Sequence, residues 1–578
     1  MAKPQPNLAA TNERLALEAR LKNLEQLRIS WWQHWRELAD FILPRRFKAF
    51  ITPYQQQRGQ QLNTKILNNT PTLAARNCAA GLMSGTTSPA RPWFRMTVPD
   101  PEIMRDREVQ EWCNEVTKRV MRVMATSNYY GSKAAQYLDL VVFGTAPMII
   151  YESVEKVIHC FNPVCGEYTV AVSPEFEVDT LFRRFTMTST QVVQEFGIDA
   201  CSDMVKNLYR NTMMGGRDTE VIIAHCIMPN SEYADGEYAP GKAGLPRKFR
   251  WKECYWEYGR AASDARLNPF LRVRGFDDNP VSCPRWDVNG NDAYGRSPGM
   301  DALGDAKQLQ FQERSKAKAI DKLVDPPMVA DVAMKNEPAS LLPGSITYVP
   351  NTGQGSVGYS PAIKVDPKLA EMQDDIRGVE QRIKDAFYND LFLMISQLDT
   401  VRTATEIDAR REEKLVMLGP ALDRLQREGL SKDITRIFSI MARRGLLPPM
   451  PEAMEGMPLK IEYISLLADL QRATQTTAIE RLWAFAGSIS AGVPSVLDNM
   501  DADASIEEYA ELMRVPPRVL ADVKQRDAAR QQRNAQQEMA TTMQVGAEAV
   551  NAGKVLSETD VGGGQNALSA MLNGAGGL

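Results

Sequence analysis

Tyr294-Gly295-Arg296-Ser297-Pro298-Gly299-Met300-Asp301-Ala302-Leu303-Gly304-Asp305-Ala306-Lys307-Gln308-Leu309-Gln310 is the stretch on which the fold turns. Its glycines and proline punctuate a loop, and the residues after them open a long polar-faced helix predicted to run to about Lys322. Asp325-Pro326-Pro327-Met328-Val329-Ala330 stops that helix, because proline has no amide proton and restricts the residue before it. A second long helix is predicted over 367–390. There Leu369, Met372, Ile376, Val379, Ile383 and Phe387 recur at alternating three- and four-residue spacing, a narrow apolar seam on an otherwise charged helix. Alone, the seam reads as an ordinary core-facing stripe. Paired with the first helix across a compact, proline-rich, β-compatible insert, it reads as a helical hairpin that packs beside copies of itself.

Outward from this hairpin, the first half of the chain mixes helix and strand. Residues 11–42 read as an amphipathic helix ending in Trp31, Trp32 and Trp35 and stopped by Pro44. The basic-aromatic run Leu43–Lys48 reads as a solvated helix end. Asn68-Asn69-Thr70-Pro71 signals another helix start, and 106–127 a further helix. Val154–Phe161 and Tyr168–Val172 are strand candidates on either side of a Cys165-Gly166-Glu167 turn. Val178–Thr188 then reads as a strand delivering a Ser/Thr-capped helix that ends at Gly197. Residues 219–285 are aromatic and β-leaning, consistent with a sheet closing on itself. In the second half a helix starts at Thr403, boxed by Glu406, and Gly419-Pro420 is predicted to kink or break it. No aromatic residue follows Tyr509, and the Gln-, Arg- and Ala-rich run from Lys524 is expected to fray into a disordered tail.

Composition narrows the function. At 578 residues, 44% hydrophobic and 24% charged, this is a multidomain chain of ordinary globular composition. No apolar run approaches the ~20 residues of a membrane span, and Met1–Pro6 has no secretory core, which predicts intracellular synthesis. The net charge of −4 argues against a protein that grips DNA, since such affinity comes from neutralising phosphates. If DNA is a partner, loose passage fits this charge better than tight binding. No P-loop, G-x-S-x-G elbow, H-E-x-x-H or dinucleotide loop occurs, and His34, His159 and His225 fall in unrelated contexts. His159-Cys160, Cys165 and His225-Cys226 are the nearest approach to a metal set, but structural zinc pairs its ligands more tightly, so the eight cysteines read as small buried apolar residues. Asp374-Asp375 and Glu412-Glu413 read as solvated helix faces. No cofactor and no catalysis are expected. A metal-dependent nuclease of a packaging apparatus and a membrane-active ejection protein using Trp31–Phe47 are the competing readings.

The opening stretch resembles the head-to-tail connector (portal) proteins of short-tailed bacteriophages. So do the "W…LPRR" segment near the N-terminus, the blocks around Tyr137–Pro147 and Val178–Thr188, Thr403–Gln426, and Gly445–Glu452 with Ile464-Ser465. These blocks lie in the expected order from about residue 12 to 520. The resemblance implies an α+β, predominantly helical portal fold with wing, stem, clip and crown, assembling into a dodecameric ring at one capsid vertex. Residues 1–11 would be a flexible leader, 12–295 the wing, 296–323 and 367–390 the two stem helices, and 324–366 the clip. Residues 391–402 would be the tunnel loop, 403–469 a kinked tunnel helix and more wing, 470–523 the crown, and 524–578 a frayed helix and disordered tail.

The resemblance also implies roles for particular residues. Ser396, Gln397, Asp399 and Arg402 of the tunnel loop would face DNA, with Lys316, Lys318 and Lys322 as further DNA-facing charge. Leu341, Leu342, Ile346 and Tyr348 of the clip would pair subunits and dock terminase or adaptor, and the 369–387 seam would pack the stem. The implied partners are further copies of the chain and double-stranded DNA in non-specific passage. They also include the terminase large subunit, tail adaptor and tail tube proteins, major capsid protein, scaffold, and internal ejection proteins at the crown. The implied site is the virion's capsid vertex, after assembly in the host bacterial cytoplasm.

Overall fold

The computed structural model describes residues 8–48, 61–104, 106–211, 215–241, 244–259, 269–324, 328–330, 359–361, 369–390, 418–464, 478–489, 500–512, 519 and 523–558. The amphipathic stretch expected over 11–42 is two helices, α1 (Leu8–Leu27) and α2 (Ile29–Phe41). Helix therefore begins inside the expected leader, and Ala10 and Thr11 are already buried. Leu43–Lys48 is docked on the body rather than solvated. Arg46 pairs with Asp139 through both carboxylate oxygens, its Nε 2.8 Å from Oδ1, and Lys48 pairs with Glu167 at 3.0 Å. Burial pushes the Asp139 carboxyl up to about 6, against the pull of Arg46.

α3 (Thr70–Thr86) starts where its sequence signal lies. Its cap residue Asn69 makes no side-chain cap bond, and Asn68 before it accepts from the Thr70 amide at 2.9 Å through Oδ1. Pro71 sits in the first turn, where its missing N–H leaves no helical bond unmade. β1 (Phe94–Thr97), α4 (Pro101–Met104) and α5 (Arg107–Thr126) follow. Tyr129–Phe143 is a helix, α6, so the apolar run Leu138–Ile150 is shared between its last turns and β2 (Met148–Ser153). Gly144, at φ 78°, closes α6 in the left-handed conformation and separates the two. β3 (Val157–Phe161) starts later than expected, because Val154 is an exposed residue of the preceding turn.

β4 (Tyr168–Val172), β5 (Val178–Thr188), α7 (Ser189–Phe196), α8 (Asp203–Arg210), β6 (Glu220–Pro229), β7 (Trp251–Glu257), β8 (Arg272–Phe276) and β9 (Val281–Ser282) complete this region. Thr188 and Gln191 form the reciprocal cap of α7, and Gly197 ends it. The sheet does not close on itself. β4 to β8 form an open antiparallel sheet in chain order, while β9 leaves it to join β2 and β3. The two-residue period then divides the long strands between two cores. Phe182, Ala224, Cys226, Cys254 and Trp256 meet Leu17 and Leu21 of α1. On the other face Ile223 and Tyr255 meet Val192 and Val205 of α7 and α8.

That second face also carries a buried polar chain. Arg183 Nε donates to His225 Nδ1 at 2.9 Å, so Nε2 is the nitrogen that donates to Glu253 Oε1, also at 2.9 Å. Tyr151 and Tyr255 donate to the same oxygen at 2.9 and 3.0 Å. Burial holds His225 neutral, its pKa pushed down to about 4. Glu253 is also buried, yet the hydrogen bond from His225 and the nearby charge of Arg274 bring its carboxyl down to about 2.

α9 (Pro298–Asp301) leads into α10 (Leu303–Val324). β10 (Met328–Ala330) pairs antiparallel with β11 (Tyr359–Pro361), and α11 (Leu369–Ala386) follows. The expected clip residues between those strands, and 391–417 with the start of the Thr403 helix, lie outside the described residues. α12 (418–424) carries Gly419-Pro420 in its first described turn, and the helix expected to enter that turn from Thr403 lies outside the described residues. A π-turn follows over Leu425–Leu430, before α13 (Ser431–Arg443) and β12 (Lys460–Tyr463). α14 (478–489), α15 (Ala502–Leu512) and α16 (Val523–Glu558) complete the described chain. The run from Lys524 is helical to Glu558, as its Ala-, Gln- and Arg-rich sequence favours, and 559–578 lie outside the described residues.

The chain divides into two compact units. One comprises Met1–Met96, Glu115–Pro449 and Ile461–Leu470, and the other Thr97–Asn114, Met450–Lys460 and Gln471–Leu578. In the smaller unit Arg526 pairs with Glu507 at 3.1 Å and Tyr509 bonds Glu480 at 2.7 Å. In the larger unit, Lys133 of α6 and Asp433 of α13 form an ion pair of 2.7 Å with both side chains wholly buried. Tyr129 adds a bond to the same carboxylate oxygen at 3.0 Å.

Asp433→Asn leaves Lys133 charged and unpaired, with an expected loss of roughly 3–5 kcal/mol in urea unfolding. Adding Lys133→Met should recover part of that loss; if Asp433→Asn unfolds like the parent, the pair does not hold α6 to α13. The pH dependence has a definite sign. His225 binds its proton near 6.5 when unfolded and near 4 when folded, so stability falls as pH drops through that window, by up to roughly 3 kcal/mol. His225→Gln removes this slope while Asp139, which titrates in the opposite sense, cancels between parent and variant. Urea midpoints of the two proteins at pH 7.5, 6 and 5 test it.

Candidate functional site

The opening stretch fixes the base of the hairpin by a backbone contact that admits no side chain. A Cβ on Gly144 would lie 2.2 Å from the Gly295 carbonyl oxygen, and one on Gly299 would lie 2.8 Å from that of Val142. Ser297 Oγ donates to the same Val142 carbonyl at 2.7 Å and accepts from the Met300 amide at 3.1 Å, so it caps α9 while tying it to α6. The Gly295 amide donates to Thr145 Oγ1 at 2.9 Å. Tyr294 lies edge-on to Trp35, with ring centroids 5.0 Å apart, and its hydroxyl accepts from the Val170 amide. Trp35 in turn donates to the Phe143 carbonyl at 3.0 Å.

From this base α10 and α11 run antiparallel. Asp305 pairs with Arg382 at 3.0 Å, Gln312 bonds Asp375, and Lys316 bonds Gln373 at 2.5 Å, three rungs that set the register. Gln310 is buried and holds the loop before α3, accepting from the Leu67 and Asn68 amides at 2.6 and 2.9 Å. Asn68 Nδ2 then bridges Glu313 and Glu380 at 3.1 and 2.8 Å, one from each helix.

The seam on α11 faces inward. Ile376, Val379, Ile383 and Phe387 are fully buried in the main core of this chain, with Ala74, Cys78 and Leu82 of α3 and Leu309 of α10. Met372 packs at the edge of that core. The described seam residues are thus occupied within the chain, and any face offered to a copy must be another one. Of the expected DNA-facing lysines, Lys316 is engaged by Gln373 and lies 3.8 Å from Glu313, while Lys318 and Lys322 are exposed. Ser396, Gln397, Asp399 and Arg402, and Leu341, Leu342, Ile346 and Tyr348, lie outside the described residues.

Sequence reading misses the clamp beside the π-turn. Buried Arg285 reaches Glu428 of that turn through its backbone amide and Nε, both at 3.1 Å, and through Nη2 at 2.6 Å. Its Nη2 also donates to the Phe176 carbonyl, and its Nη1 to that of Asp292. The extra residue of a π-turn swings Glu428 toward this guanidinium. The two partners stand 143 residues apart, and neither carries a local signal.

Among the described residues no cluster of three or more His, Cys, Asp or Glu could hold a metal ion. All eight cysteines are buried and unbridged, in line with their reading as apolar residues. No described helix is long and apolar enough to cross a membrane.

Comparison with known proteins covers the whole of this architecture. The model of the family described as bacteriophage head to tail connecting protein matches residues 14–520. The chain is 39% identical over 569 residues to the portal protein of Salmonella phage epsilon15, covering 98% of this chain and 99% of that one. It is 38% identical over 534 residues to a "Probable portal protein" of Bordetella phage BPP-1, covering 92% and 93% respectively.

Ile383→Ala should cost roughly 2–5 kcal/mol by opening a cavity in the core, whereas Gln381→Ala on the exposed face should stay within about 0.5 kcal/mol. Equal losses in denaturant unfolding would mean that the seam is not the buried face.

Proposed function

The chain belongs to the family of bacteriophage head-to-tail connecting proteins, and on that premise we propose that it forms a dodecameric ring at one vertex of the capsid. Double-stranded DNA enters the head through this ring during packaging and leaves through it at ejection. The role is structural: a conduit and a docking platform, with no chemistry of its own. The observation that carries this reading is the family match across 14–520, which spans the hairpin and the body that anchors it. The net charge of −4 supports passage over adhesion.

Within the ring, 12–295 contributes the wing, α10 and α11 the stem, the insert between them the clip, and the region beyond about 470 the crown. The clip meets the terminase during packaging and the tail adaptor afterwards. Residues 391–402 form the loop toward the duplex. Capsid protein and scaffold surround the ring during assembly in the host cytoplasm, and the finished particle retains it.

The test is native mass with negative-stain images of the same sample, in the presence of scaffold and capsid protein. A closed ring near twelve times the 64.6 kDa subunit, with a central hole wide enough for duplex DNA, is expected. A protein that stays monomeric under those conditions sinks the reading.

A further inference from the structure

The outward faces of the hairpin carry opposite charge. On α10, Phe311 is 71% exposed, and Arg314, Lys318 and Lys322 follow it at three-, seven- and eleven-residue offsets, which places all four on one side of the helix, with exposed Asp321 the one anion among them. All three cations are exposed, and none has an ion-pair partner among the described residues. On α11, Glu371, Asp374, Gly378, Gln381 and Asp385 form the corresponding exposed stripe. Among the described residues Asp374 meets only its helical neighbour Arg377, at 3.4 Å, while Glu371 has an interaction of its own.

Gly378 is the odd residue. A glycine in mid-helix costs ~1 kcal/mol relative to alanine, yet a Cβ there would meet nothing within 4 Å. Nothing among the described residues requires it. It leaves a notch on the acidic face, and Phe311 is a knob on the basic one.

The rungs Asp305–Arg382, Gln312–Asp375 and Lys316–Gln373 give the height of each residue along the hairpin. By that measure Phe311 stands level with Gly378, Arg314 with Asp374, and Lys318 with Glu371. Rotation about a ring axis moves a copy without shifting it along that axis. For a hairpin running along the axis, each residue of α10 therefore meets the next copy's α11 at its own height.

We propose that the basic face of α10 in one copy packs against the acidic face of α11 in the next, with Phe311 seated over Gly378, Arg314 beside Asp374 and Lys318 beside Glu371. The interface is head-to-tail, two different surfaces per subunit, as ring closure requires. It rests on the ring reading above and deepens it, since it gives Arg314 and Lys318 to a neighbouring copy rather than to DNA.

The test combines cross-linking with charge reversal in the full chain. Phe311→Cys with Gly378→Cys, assembled into rings and mildly oxidised, should give a ladder of covalent multimers on a non-reducing gel. Either single variant should stay uncross-linked, because the contact joins unlike surfaces and the native cysteines are buried. Arg314→Glu with Lys318→Glu should cut ring yield at least tenfold while leaving the thermal unfolding of the subunit unchanged. Adding Glu371→Lys and Asp374→Arg should restore rings. If the parent closes rings but the double-cysteine protein gives no ladder, or the charge-reversed protein closes rings in normal yield, the proposal is overturned while the ring stands. If the parent itself never closes a ring, the functional reading has failed and this interface goes with it.

Discussion

Everything about the hairpin's placement depends on a backbone-to-backbone approach between 142–144 and 295–299. A side chain at Gly144 or Gly299 would collide with a carbonyl oxygen fixed by a helix or a turn, not with a flexible tip that could yield. Ser297, Thr145 and the Tyr294–Trp35 pair then hold the segment in the only place where the glycines fit. A loop of such composition therefore acts as a rigid mount, and the direction of α10 follows from it.

The mount explains how the apolar seam of α11 is used. With α10 fixed against α6, the second helix can bury Ile376, Val379, Ile383 and Phe387 only by turning them toward α3 and the body. The hydrophobic free energy of that stripe is spent in folding the subunit, which leaves polar faces for contacts with copies. Polar faces suit the ring proposed above. Charge contributes little to the stability of a lone subunit but discriminates strongly between matched and mismatched neighbours.

Much of this was legible in the sequence wherever a short-range rule decides. The two hairpin helices follow from Gly-Pro punctuation and the seam spacing, and α7 from its reciprocal cap and terminal glycine. Failures occur where tertiary partners decide. The Leu138–Ile150 run has one composition throughout, and only the left-handed turn at Gly144 divides it into helix and strand. The π-turn carries no signal of its own, and it lies where a distant Arg285 draws in Glu428. Leu43–Lys48 looks solvated until Asp139 and Glu167 are folded against it. His225 carries no motif, because its partners come from neighbouring strands whose register the sequence does not print.

In mechanical terms the hairpin is a cantilever. No described residue of α10 beyond Gln310 is buried, and on α11 the first fully buried residue is Ile376. The span from Arg314 to Val324 thus projects about 16 Å past its last clamp, the Asn68–Glu313 bond, at the helical rise of ~1.5 Å per residue. A beam held at one end bends most easily at its free tip and concentrates torque at its root. A load applied where β10 and β11 meet would therefore be felt at Gln310, Asn68 and the glycine mount, well inside the body of the subunit. Lateral contact with neighbouring beams would stiffen each one and let a push on one tip be shared around the whole circle.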